Sequence, residues 1–203
     1  MSDARVFPGW QERYRQGGVE SMPWYWPALD RDLAAALERH GIASGRVLDL
    51  GTGPGTQAIA LAERGFAVTG ADIAAAAIDY AAQSADKRKV EVTWAQDDIL
   101  ATRLTGPFDV IFDRGCFHVI DPTKRESYVR TVHGLLAPSG WLFLKTFSHL
   151  QPGDLGPYRF RPEEIHELFD ASHGLRVVEL FDSDFQGQLD PYPKALFAAV
   201  RRI

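Results

Sequence analysis

An α/β fold, a largely parallel sheet wound on both faces by helices, is predicted by three observations on this chain. A short apolar strand at 46–50 runs into the glycine turn Gly51-Thr52-Gly53-Pro54-Gly55, and a helical pattern follows over 56–63. A second strand, 67–71, delivers Asp72, 21 residues beyond Gly51. Strand-like and helix-like stretches then keep alternating along the chain, as βα units require.

Strand, glycine turn and helix together form a ligand-holding arrangement. Gly51 and Gly53 let the backbone take positive φ and let a ligand approach the main chain, where side chains would obstruct both. An acid at the end of the next strand is placed to accept hydrogen bonds from the two hydroxyls of a ribose, so Asp72 points to a nucleoside-containing ligand. The bland alternative makes the glycines a tight turn and Asp72 a helix cap. Between a dinucleotide and an adenosyl sulfonium, Asp49 favours the second: an acid two residues before the glycines suits a cationic amine better than a diphosphate.

The run VLDLGTGPGT resembles the first motif of the class I S-adenosylmethionine-dependent methyltransferases. The resemblance covers about 46–147. It implies a Rossmann-like sheet of seven strands, mostly parallel with the last antiparallel, and S-adenosyl-L-methionine as cofactor. It also implies cofactor contacts from Asp49, Gly51, Thr52, Gly53, Gly55, Asp72 and the following Ile73. Residues 1–203 are expected to form a single domain of this kind, with 1–29 as an aromatic cover.

Composition bounds the function. With 203 residues the chain has room for one sizeable core, and a net charge of -5 gives no electrostatic reason to expect a nucleic-acid partner. One cysteine, Cys116, excludes an internal disulfide framework, and no Cys/His set has metal-ligand spacing. The first residues lack a signal-peptide pattern and no run of about 20 apolar residues occurs, so the expectation is a cytoplasmic protein without a membrane partner, a monomer or weak homodimer acting on a small molecule.

Taken in order, 1–29 is rich in aromatics: Phe7, Trp10, Tyr14, Trp24, Tyr25 and Trp26, with Pro8, Pro23 and Pro27. Most should pack the segment onto the domain. Trp10, Tyr14 and Trp24 are the candidates to roof cofactor and substrate, since aromatic faces attract a sulfonium. Pro27 suits the first turn of a helix running to His40. After Asp72, 74–83 reads as an alanine-rich helix ending in a polar turn at 84–89, and 90–94 alternates as a third strand. Asp97-Asp98-Ile99 follows it. Acids there suit the adenine amino group; the family pattern matches Asp98 and Ile99 best, with Asp97 an alternative and helix capping the structural one.

The apolar run 110–113 reads as a buried central strand whose end lies on the same side as the glycine loop. FDVIFDRGCFHVI resembles the fourth strand and loop of class I methyltransferases, and Asp113-Arg114 resembles the thiopurine and thiol S-methyltransferase branch. This implies that Asp113 and Arg114 belong to the cofactor and acceptor pocket, and that the acceptor is a thiol, thiopurine or other chalcogen. Cys116 reads as a pocket wall, because direct methyl transfer needs no enzyme nucleophile. His118, with an ordinary pKa near 6.5, is the candidate base if the acceptor is a hydroxyl or amine. A helix over 122–136, a turn at 136–140, a strand over 141–147, a loop over 148–161, a helix opening at 161–164 and strands at 175–180 and 195–200 complete the reading. Arg159 and Phe160 are candidate pocket contacts. The alternatives to a methyltransferase are a small NAD-dependent Rossmann oxidoreductase and a non-catalytic nucleoside-binding protein.

Overall fold

A computed structural model describes residues 9–153 and 156–203. Phe7 and Pro8 lie outside the described residues. Fourteen regular elements build the domain: α1 (Trp10–Arg15), α2 (Arg31–Arg39), β1 (Arg46–Leu50), α3 (Thr56–Ala62), β2 (Ala67–Asp72), α4 (Ala75–Arg88), β3 (Thr93–Gln96), β4 (Phe108–Arg114), α5 (Arg125–Leu135), β5 (Leu136–Ser148), β6 (Arg159–Phe160), α6 (Pro162–Leu168), β7 (Leu175–Asp184) and β8 (Lys194–Arg202).

The main sheet runs β3-β2-β1-β4-β5-β8-β7, with the two-residue β6 pairing alongside β5. All pairings from β3 to β5 are parallel, and β8 is antiparallel to both β5 and β7. This is the mostly parallel sheet with an antiparallel last strand that the resemblance implies. β1 is buried from Val47 to Leu50 because it lies mid-sheet between β2 and β4, with a helical layer on each face. Leu48, Leu50 and Ile111 pack with Tyr128, Val129 and Val132 of α5. Val47, Val110 and Phe112 point the other way, onto Leu33 and Leu37 of α2 and Leu61 of α3. Strand order reverses between β1 and β4, so their C-terminal loops rise side by side at the crevice where open α/β sheets bind ligands.

Several elements depart from the sequence expectation: β7 runs on to Asp184, and β6 forms within the stretch expected to be a loop. α4 continues past 83 to Arg88, because Ala85 is buried on the sheet and basic residues end the helix where its dipole favours them. It stops at Lys89, which is left-handed with φ 58°. β3 starts at Thr93 rather than 90. The turn expected at 136–140 is an irregularity inside β5: Leu136 pairs with Phe108, and the next register is Val110 with Trp141. α2 begins at Arg31, not at Pro27, because Asp30 caps it by accepting from Asp32 N (3.0 Å) and Leu33 N (3.4 Å).

Asp30 is also where the leading segment joins the domain. Its fully buried carboxylate receives Lys145 Nζ from β5 at 2.8 and 3.0 Å and Arg114 Nε from β4 at 3.0 Å. Burial works to raise its pKa, and Lys145 and Arg114 overcome that and hold it below the ordinary carboxylate value. Asp98, by contrast, is an exposed cap that accepts from Leu100 N at 3.0 Å. In urea denaturation, Asp30→Ala is therefore expected to cost about 3 kcal/mol or more, since it removes the buried carboxylate that Lys145 and Arg114 share. Asp98→Ala should cost about 1 kcal/mol at most, and equal losses would refute this division.

Candidate functional site

The glycine loop is shaped by close approach as much as by turn geometry. Gly53 has φ 52°, and a side chain there would place its Cβ 2.6 Å from the Tyr14 hydroxyl. At Gly51, φ 68°, a Cβ would lie 2.7 Å from that of Cys116, so the loops after β1 and β4 touch. Gly55 caps α3 without a side chain. Asp49 supplies the missing acceptor from below, taking Ala58 N at 3.1 Å and Thr52 Oγ1 at 2.5 Å. Burial raises Asp49 to about 6, against these hydrogen bonds.

Asp72 ties this loop to the start of α4. Its Oδ2 accepts from Gly53 N and its Oδ1 from Ala74 N, both at 2.9 Å. Burial raises its pKa, partly offset by those amides. Ile73, next to it, is 53 % exposed. Asp97 donates its N–H to Asp72 O at 2.9 Å, which brings the acids after β3 beside the end of β2. Asp97 Oδ2 accepts from Arg103 N at 2.8 Å, whereas Oδ1 is buried with no hydrogen-bond partner among the described residues. Ile99 is in the core.

The leading segment lies over this crevice. Tyr14 is buried and accepts from Trp24 Nε1 at 3.2 Å, and Trp10 meets Trp24 edge-to-face at 5.6 Å. Burial first, and the nearby Asp72 charge second, push the Tyr14 hydroxyl well above its ordinary pKa. Gln11 Oε1 accepts from Ala76 N at 3.1 Å, docking α1 on α4. An open groove of about 920 Å³ lies elsewhere, along Ala67, Val68, Val92 and Trp94, and is not lined by Tyr14, Gly51, Gly53 or Asp72.

On the β4 side, Asp113 turns into its own loop. Its carboxylate is fully buried and committed to its own loop, accepting from Gly115 N (3.1 Å), Cys116 N (2.8 Å), Phe117 N (3.0 Å) and Tyr128 Oη (2.6 Å). Burial raises it to about 6. Arg114 is likewise engaged, donating to Asp30, to Trp24 O at 3.2 Å and to Gln186 O. His118 is engaged as well. Its Nδ1 accepts from Phe147 N at 3.1 Å, which places the proton of the neutral ring on Nε2. Burial, with Arg114 secondary, lowers it to about 3. The ring packs against Phe147 (4.8 Å) and Phe185 (5.6 Å). Burial holds the Cys116 thiol well above its ordinary pKa and hence protonated. Arg159 sits on β6 opposite Phe147, at the margin of this group.

Sequence reasoning missed Gln11, Asp30, Gln57, Lys145 and Gln186. Gln57, buried on α3, holds the cover through Ala28 O (3.0 Å) and Asp30 N (2.7 Å). Lys145 carried a usable signal: one charge inside the apolar run WLFLKTF asks for a buried partner.

A neutral, buried His118 has a stability signature. Its folded pKa is depressed, so its contribution is complete above the unfolded value near 6.5 and is lost as pH falls from 6.5 toward 3. Asp49 and Asp113, raised to about 6, act oppositely: their contribution is present at low pH and is lost as pH rises through 6. Those terms cancel in a comparison of wild type with His118→Gln. The stability advantage of wild type should be flat above pH 7 and shrink by about 1.4 kcal/mol per pH unit below 6.5; a pH-independent difference would show that the ring titrates normally.

Residues 47–140 match the family model described as a methyltransferase domain. A thiocyanate methyltransferase of Brassica oleracea is 32 % identical over 185 residues, 87 % of this chain and 77 % of that protein. A ubiquinone biosynthesis O-methyltransferase of Pseudomonas aeruginosa (strain LESB58) is 36 % identical over 114 residues, 55 % of this chain, and the chain spans about half (48 %) of its length. Among solved structures, one concerning the conversion of a disulfide bond into a thioacetal group during echinomycin biosynthesis superposes with a TM-score of 0.76 at 25 % identity, covering 89 % of this chain and 85 % of that one. TehB from Haemophilus influenzae shares the fold, with a TM-score of 0.70 at 18 % identity over 86 % of this chain and 62 % of its own. A likeness that extends so far beyond the glycine loop is one of family, and this chain belongs to the class I S-adenosylmethionine-dependent methyltransferases.

Proposed function

We propose that the protein methylates a small, soft nucleophile, a thiol or another chalcogen, that arrives already ionised. The observation that carries this is that the acid–base groups around the β4 loop spend their acceptor positions on the protein itself. Asp113 is saturated by its loop, His118 holds its lone pair against Phe147 N, and Cys116 and Tyr128 are pushed up by burial. A phenol or amine acceptor needs such a base; a thiolate needs orientation.

The crevice fits the cofactor of the family. Gly51 and Gly53 keep the loop free of side chains, Asp72 would accept from ribose hydroxyls beside its contact with Gly53 N, and Asp98 and the orphaned Asp97 Oδ1 would offer acceptors for an adenine amino group. Ile73 and Ile99 would flank the base, and Asp49 would set negative potential under Thr52 and Gly55. When bound, S-adenosylmethionine supplies an electrophilic methyl carbon on a cationic sulfur. Trp10, Tyr14 and Trp24, which contact one another over the glycine loop, would offer aromatic surface to that charge. Cys116, His118, Phe147 and Phe185 wall the acceptor side with largely apolar surface, which favours a polarisable nucleophile shed of water. Two relatives support the sulfur reading by what they are named for: a thiocyanate methyltransferase, and an enzyme structure concerned with disulfide-to-thioacetal conversion.

Calorimetry should detect S-adenosylhomocysteine binding, weakened by about 1 to 3 kcal/mol in Asp72→Ala, where two donors lose their buried partner. Undiminished affinity in the folded variant would remove Asp72 from the cofactor site. In a methyl-transfer screen over thiols, soft anions, phenols and amines, thiols should turn over with a pH dependence that follows the acceptor's own ionisation. His118→Gln should leave the shape of that profile unaltered. Turnover confined to phenols, with an inflection near pH 6.5 that the variant abolishes, would instead make the protein an O-methyltransferase with His118 as its base.

A further inference from the structure

Three chain segments far apart in sequence cross the C-terminal edge of the sheet and meet at one side chain. The first is the end of the cover, 22–30; the second is the loop after β4; the third is the connection from β7 to β8, 185–193. They are packed tightly. A Cβ on Gly187 would lie 2.1 Å from Pro23 O, and Gln188 donates its N–H to that same carbonyl at 3.0 Å. Arg114 stands between them. Its side chain is 8 % exposed, and its guanidinium sends one donor to each neighbour: Nε to Asp30, Nη1 to Trp24 O, Nη2 to Gln186 O.

Lys145 supports the same junction without reaching the cover carbonyls. Its ammonium binds Asp30, Asp32 Oδ2 at 2.7 Å and Gln186 Oε1 at 3.4 Å. Asp30 therefore keeps a cationic partner whether or not Arg114 is present. What Arg114 alone supplies is a planar fork that spans the carbonyls of Trp24 and Gln186. A lysine there would have the charge but not the reach in two directions.

We propose that Arg114 is a positioning residue that latches the aromatic cover to the β7–β8 connection, so that Tyr14 and Trp24 are held over the glycine loop. It acts through the backbone carbonyls of Trp24 and Gln186. The link to cofactor retention rests on the methyltransferase reading; the latch itself does not. Trp24 is one residue from the latched Pro23–Gly187 contact and bonds Tyr14, whose hydroxyl sits at Gly53, so two residues, Trp24 and Tyr14, link the fork to the loop.

Limited trypsin digestion of the full-length protein reads the latch, because Arg13 and Arg15 lie on α1 within the cover. Arg114→Lys should melt close to wild type, with Asp30 still paired, yet be cleaved after Arg13 or Arg15 about tenfold faster and bind S-adenosylhomocysteine about tenfold more weakly. Wild-type cleavage resistance in that variant would overturn the latch. Should the variant not fold, hydrogen exchange on wild type decides: the amides of Tyr25 and Gln188 should open as one unit, and independent opening would refute the proposal. If wild type binds no S-adenosylhomocysteine, the methyltransferase reading fails, and cleavage and exchange still test the latch.

Discussion

The buried ion cluster around Asp30 is the constraint on which the rest of this structure depends. Two acids, Asp30 and Asp32, face Lys145 and Arg114 at the C-terminal edge of the sheet, and each charge is compensated at hydrogen-bond distance. Burying any one of them alone would be costly, so the cluster forms as a unit or not at all. Its members come from the start of α2, from β4 and from β5, and Gln186 joins from beyond β7. Closing it sets the cover at a defined height above the crevice, which hydrophobic packing of tryptophans alone would leave free to slide.

A second theme runs through the site: acids at strand ends spend their oxygens on backbone amides. Asp49 holds the first turn of α3, Asp72 joins the glycine loop to α4, and Asp113 shapes the loop after β4. Preorganisation follows. Loops held by several charge-assisted hydrogen bonds do not need to reorder when a ligand arrives, and the binding energy is kept for the ligand. Burial raises Asp49, Asp72 and Asp113 above their ordinary values because the amides only partly replace lost water.

The site that results is poor in acid–base chemistry and rich in shape. Methyl transfer in line with a departing sulfur asks for alignment and a water-poor enclosure more than for proton relays. His118 fits that pattern as a neutral ring packed between Phe147 and Phe185, with Nδ1 serving a β5 amide.

Local sequence was sufficient for everything whose physics is local. Gly51, Gly53, Gly55 and Asp72 were legible because a tight turn and an acid at a strand end are encoded by near neighbours, and β1, α3 and β2 were bounded to within a residue by their local patterns. Asp113, Arg114 and His118 were legible as residues near the crevice but not in their roles, since a sequence does not say whether a carboxylate meets a ligand or its own loop. The pairing of Asp30 with Lys145 spans 115 positions, and Arg114 reaches Trp24 across 90. No periodicity encodes such contacts; they exist only once the sheet order has brought β4 and β5 under the leading segment. The sequence by itself determined the elements, the glycine crevice and the family, and the tertiary structure alone decided which charged groups are spent inside the protein, because burial and partner distance are properties of the packed chain.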